Sequence, residues 1–97
     1  MEKLTFEYPA SGEKPKRAHV GVVGSGDLEI LLDPSDDARA HVTVQTSVTG
    51  FADTWKAVLD RFFASYGEAA RLDIRDCGAT PGTVAMRLQQ AVEVSRS

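Results

Sequence analysis

Seven large apolar residues, Phe51, Trp55, Val58, Leu59, Phe62, Phe63 and Tyr66, recur at the i, i+4, i+7, i+8 spacing of one helical face. Lys56, Asp60 and Arg61 fall between them, on the side that belongs in water. A stripe this wide and this aromatic must be buried, so the rest of the chain has to supply a broad apolar surface for the helix to lie on. Gly67 follows the last aromatic and is read as the left-handed residue that closes the helix. A second helix opens with Thr80 as N-cap and Pro81 at the first helical position, where the missing N–H leaves nothing unsatisfied. Its stripe, Val84, Leu88, Ala91 and Val92, is narrower.

The remaining segments alternate with the period of a strand. Leu4, Phe6 and Tyr8 alternate with Lys3, Thr5 and Glu7, and the run ends at Pro9. After a polar loop from Ser11 to Lys16, the apolar runs His19 to Val23 and Leu28 to Leu32 are joined by Gly24-Ser25-Gly26-Asp27, the chemistry of a tight hairpin. Asp33-Pro34-Ser35-Asp36-Asp37 makes the next turn. Val42, Val44 and Thr46 alternate with His41, Thr43, Gln45 and Ser47, and Leu72 and Ile74 lie between Arg71, Asp73 and Arg75. The order is therefore β-β-β-β-α-β-α. Two helices covering one face of about five strands make a two-layer α+β sandwich, and 97 residues suffice for one such domain, 1–97. The segment from Val42 to Ile74 is long enough for a right-handed parallel strand-helix-strand crossover.

Eleven basic residues against 14 acidic ones give a net charge of −3, which argues against a nucleic-acid partner because phosphate binding needs a clustered basic surface. The single cysteine, Cys77, cannot form an intrachain disulfide. Apolar runs such as Ile30-Leu31-Leu32 are far too short to cross a bilayer, and Met1 to Tyr8 alternates instead of forming the apolar stretch of a signal peptide. These features lead to the expectation of a cytoplasmic protein with no membrane insertion.

Most motifs that suggest chemistry fail on inspection. Val20-Gly21-Val22-Val23-Gly24-Ser25-Gly26 resembles the start of a dinucleotide fingerprint, but Glu29 stands where the third glycine is required. No Gly-Lys-Ser/Thr follows it, so it is not a P-loop either. A nucleophile elbow needs glycine at positions 23 and 27, which are Val23 and Asp27. His19, His41 and Cys77 lack metal-ligand spacing, and Cys77 reads as a small, partly buried hydrophobe. Lys14, Lys16 and Arg17 read as a solvated loop. Asp33, Asp36 and Asp37 read as a solvated face that could also steer a partner. Ser25 remains, exposed between two glycines at a hairpin tip and approachable by another protein's active site. Ordinary turn chemistry accounts for the same three residues, and spacing leaves both readings open.

Gly24-Ser25-Gly26-Asp27-Leu28-Glu29-Ile30-Leu31-Leu32, followed downstream by Asp76-Cys77-Gly78-Ala79-Thr80-Pro81-Gly82, resembles the acyl carrier (delta) subunits of malonate decarboxylase. The resemblance extends over essentially the whole chain, including Leu4-Thr5-Phe6-Glu7 and Thr46-Ser47-Val48. It implies a non-catalytic carrier whose Ser25 hydroxyl is joined through a phosphodiester to 2′-(5″-triphosphoribosyl)-3′-dephospho-coenzyme A. The implied cargo is acetyl and malonyl, held as thioesters. The implied partners are an acetyl/malonate acyl carrier transferase subunit, decarboxylase subunits, a malonyl transferase and a prosthetic-group attachment enzyme. Because the reactive group belongs to the cofactor, such a chain needs no base or nucleophilic cysteine of its own. Asp27 and Glu29 flank the attachment point, either as plain turn and strand-surface residues or as charges that orient basic partner surfaces. Two alternatives stand beside this reading: a citrate-lyase-type acyl carrier chain, and a small interaction or structural subunit that is never modified. The strands around Ser25 set the chain apart from the four-helix acyl carriers.

Overall fold

In the computed structural model, which describes Met1–Ser97, the alternating residues of every strand bring their apolar members to one face of a five-stranded sheet. The elements are β1 (Glu2–Pro9), β2 (Ala18–Gly21), β3 (Asp27–Pro34), β4 (Arg39–Thr46), α1 (Ala52–Phe63), β5 (Ala70–Cys77) and α2 (Pro81–Arg96). The sheet order is β1-β4-β5-β3-β2. Leu28, Ile30 and Leu32 of β3 stand opposite Asp76, Ile74 and Leu72 of β5, which in turn lie beside Thr46, Val44 and Val42 of β4. Trp55 and Leu59 of α1, with Val84, Leu88, Ala91 and Val92 of α2, close over this surface in one core. The expected two-layer α+β sandwich is present, and its bare sheet face carries polar residues such as Glu29, Thr43, Asp73 and Arg75.

β4 and β5 are parallel neighbours with α1 between them, so the crossover read from Val42 to Ile74 is real; the other pairings are antiparallel. The crossover brings the ends of β4 and β5 to the same edge as the start of β3, because Asp76 pairs with both Thr46 and Leu28. That edge carries the Ser25 turn.

Helix α1 differs from expectation at both ends. Phe51 sits at the N-cap without a side-chain cap and is 51% exposed. The helix stops at Phe63, and Gly67 does not take a left-handed φ. The aromatic residues close the end by packing on one another. The rings of Phe62 and Tyr66 stack with centroids 5.0 Å apart, and Phe63 stacks on Tyr8 of β1 at 4.2 Å. The N–H groups of Ser65 and Tyr66 both turn back to the Phe62 carbonyl. Tyr8 also donates to Asp60 at 2.7 Å, and burial, reinforced by this bond, pushes its phenol well above its usual range.

The acidic and basic clusters largely answer each other. Lys14 pairs with Asp36 at 2.8 Å and Arg17 with Asp33. Asp37 accepts from the Ser35 hydroxyl at 2.7 Å and faces His41 Nε2 at 2.7 Å, which pulls its carboxyl down to about 2. The group read as a docking candidate is thus a set of pairs within the chain. Exposed pairs of this kind add little stability each.

Candidate functional site

The hairpin that carries Ser25 is wider than its glycines suggest. β2 ends at Gly21, which has φ +77°, and a Cβ there would lie 2.1 Å from the Leu28 carbonyl oxygen. Only glycine can stand at that point, and the chain leaves the ladder there. Val22 and Val23, read as strand, are in fact 64% and 57% exposed. The connection is a loop from Val22 to Gly26.

At the tip, Asp27 N–H donates to the Gly24 carbonyl at 2.9 Å, closing a four-residue turn. Gly26, its third residue, has φ +74°, the arrangement of a type II turn. Gly24 has no left-handed φ, and a Cβ on it would touch only Val22 Cγ2 at 3.9 Å. Of the two glycines flanking Ser25, then, only Gly26 is there for its backbone. Ser25 occupies the second turn position, is exposed, and its hydroxyl is bonded to no neighbouring group, the polar contacts of this region belonging to His19, Asp27, Glu29 and Arg87.

Three contacts hold the tip still. Gly26 N–H donates to the Cys77 carbonyl at 2.7 Å. Arg87 of α2 grips the Asp27 carboxylate with both arms, Nε to Oδ1 at 3.1 Å and Nη2 to Oδ2 at 2.6 Å. Asp27 Oδ1 also accepts from Leu28 N–H at 2.7 Å. The two side chains are only 24% and 21% exposed, and the Arg87 bonds hold the Asp27 carboxyl below its ordinary range. Such forked pairs fix direction as well as distance. Glu29 is similarly engaged, with its Oε2 2.8 Å from His19 Nε2. The charges beside Ser25 therefore hold the turn in place through partners within the chain.

Arg87 was not visible as a site residue in the sequence, since it lies 60 positions from Asp27 on the polar side of a helix. The Cys77–Gly82 loop starts directly beside the Ser25 turn, its Cys77 carbonyl accepting from Gly26 N–H. Asp76, buried at the end of β5, shapes it by accepting from Thr46 Oγ1 (2.8 Å), Gly78 N–H (3.2 Å) and Ala79 N–H (3.0 Å). Gly78 has φ +82°, Cys77 is half-buried, and Thr80 caps α2 by accepting from Thr83 N–H at 3.2 Å, as its position predicts.

This arrangement presents an oxygen; it does not activate one. The imidazole of His19 faces Glu29 and that of His41 faces Asp37 at the far end of β4, so neither histidine is paired with Ser25. No group of three His, Cys, Asp or Glu side chains converges as metal ligands would. A free hydroxyl on a braced turn is suited to being modified by another protein's active site.

Comparison with known proteins shows the family. A family model described as the malonate decarboxylase delta subunit (MdcD) matches residues 15–95. The malonate decarboxylase acyl carrier protein of Azotobacter vinelandii (strain DJ / ATCC BAA-1303) is 50% identical over 94 residues, 96% of this chain and 95% of that one. The protein of the same name from Pseudomonas syringae pv. syringae (strain B728a) is 52% identical over 95 residues with the same coverage. A chain from the crystal structure of a Pseudomonas malonate decarboxylase hetero-tetramer in complex with malonate superposes with a TM-score of 0.91. That chain is 48% identical, and the match covers 96% of this chain and 97% of that one.

Proposed function

Because the chain belongs to the malonate decarboxylase delta-subunit family of acyl carrier proteins, we propose that Ser25 Oγ is the attachment point, through a phosphodiester, of a 2′-(5″-triphosphoribosyl)-3′-dephospho-coenzyme A arm. One observation carries this reading: Ser25 is exposed and unbonded on a turn braced by Gly26, Asp27, Arg87 and the Cys77 carbonyl. When bound, the arm supplies the thiol on which acetyl and malonyl are held as thioesters. This chain's residues present the attachment oxygen, keep its turn in one conformation and leave it open to an attachment enzyme.

We assign the remaining chemistry to partners, because the cargo is held at the far end of the arm, where other subunits can reach it. An acetyl/malonate acyl carrier transferase subunit and a malonyl transferase load the cargo. Decarboxylase subunits supply the donors that stabilise charge as carbon dioxide leaves. Tethering keeps the cargo at high effective concentration near each of them without tight docking. We propose that this work takes place in the cytoplasm; no helix is long and apolar enough to cross a membrane.

The cargo separates this reading from a citrate-lyase-type carrier. Carrier chain taken from the complex during turnover of labelled malonate and quenched in acid is expected to show added masses of malonyl and acetyl, both removed by hydroxylamine. Loading from citrate but not from malonate would overturn the assignment.

A further inference from the structure

We propose that the groove between the start of α1 and the β5–α2 loop is the resting site of the uncharged end of the arm, its free thiol or acetyl thioester. The proposal rests on attachment at Ser25 and adds to it a second, noncovalent site on this chain.

The groove has a volume of about 320 Å³. Val48 and Phe51 stand at its mouth, 37% and 51% exposed, while Trp55 and Val84 line it from the core. No Lys, Arg or His lines it, and its one ionisable residue, Asp76, already accepts three hydrogen bonds from Thr46, Gly78 and Ala79. Such a lining favours an apolar, uncharged guest and offers nothing to the free carboxylate of a malonyl group.

Placement supplies the occupant. Gly78 and Ala79 form one rim of the groove and follow Cys77, whose carbonyl binds the N–H of Gly26, the residue next to Ser25. From strand spacing and rise, Ser25 stands roughly 10 Å from that rim. An extended dephospho-coenzyme A arm is much longer than this, so its end reaches the groove without any change in the fold. A tethered group needs only weak intrinsic affinity to dock, because attachment holds its local concentration high. Weak docking also suits a carrier that must let go at each partner. The exposed apolar mouth close to the attachment turn is thereby accounted for.

The test uses the full-length chain loaded by its attachment enzymes, in a Cys77→Ser background so that the arm bears the sole thiol. Loading is expected to move the backbone amide signals of Val48, Phe51, Trp55 and Ala79. An arm docked four-fifths of the time makes its thiol about five-fold slower than free coenzyme A toward a thiol reagent. Phe51→Ala, which trims an exposed mouth residue, is expected to return that rate to the free value with the unfolding midpoint nearly unchanged. Signals that move only from Val22 to Leu28, with an unprotected thiol, would overturn the proposal. Groove signals that respond only to added partner subunits would make the groove a protein interface and overturn it equally. A chain that gains no mass at Ser25 contradicts the attachment reading itself, by a separate measurement, and takes the proposal with it.

Discussion

Alanine at position 25 is expected to leave the fold intact, block attachment of the arm and bring malonate turnover by the assembled complex to background. The Ser25 side chain is exposed and bonded to nothing, and the second position of a type II turn accepts alanine without strain. The unfolding midpoint should therefore change by no more than a surface substitution does, within about 0.5 kcal/mol. The loss of turnover is complete because a covalent bond is either made or absent. Carbon dioxide release from malonate, with intact mass and an unfolding curve on the same preparation, reads all three. A Ser25→Ala complex that decarboxylates malonate normally assigns the arm to another residue. An unmodified chain that cleaves an activated ester and loses this with Ser25→Ala would instead make the protein a hydrolase.

The second large effect is on stability. Trp55 is 6% exposed, on the face of α1 that meets the sheet and α2. Trp55→Ala removes the largest side chain of the core and leaves a cavity, at a cost of about 3–5 kcal/mol. Domains of this size have roughly 5–15 kcal/mol in total, so the variant should approach the edge of folding. Denaturant unfolding is expected to show a much lower midpoint with an unchanged slope. An unshifted midpoint would mean that the indole does not hold α1 against the sheet.

What the sequence disclosed and what it hid follow from the range of the interactions involved. Period carried the strands and helices. The cap at Thr80 and the buried stripe of α2 are local and stand as read. The run from Gly24 to Asp27 correctly marked a turn, but Val22 and Val23 looked like strand because apolar residues next to a strand normally continue it. The carbonyl of Leu28 ends β2 at Gly21, and that contact exists only once the hairpin has formed. Gly67 looked like a helix end, yet Phe62, Phe63, Tyr66 and Tyr8 stop α1 through ring packing that no spacing rule contains. The brace on the Ser25 turn joins Asp27 to Arg87 and Gly26 to Cys77, pairs whose proximity depends on the order of strands in the sheet. For the same reason, Lys14 and Arg17 read as a loop apart from Asp33 and Asp36, although the two groups neutralise each other. Ser25 is exposed and free of hydrogen bonds, as a hairpin tip suggests, and family resemblance singled it out where turn chemistry alone did not.

Attachment at Ser25 is tested most directly by the intact mass of the chain co-expressed with its prosthetic-group attachment enzymes, followed by fragmentation of the tryptic peptide 18–39. That peptide contains Ser35 as well as Ser25, so the fragments must place any added mass. Ser35 is buried and donates to Asp37, which leaves Ser25 as the accessible hydroxyl. The expected result is a phosphodiester-linked dephospho-coenzyme A derivative on Ser25. A bare chain, with the attachment enzymes shown to be active on another carrier, or the same mass on a different residue, would contradict it.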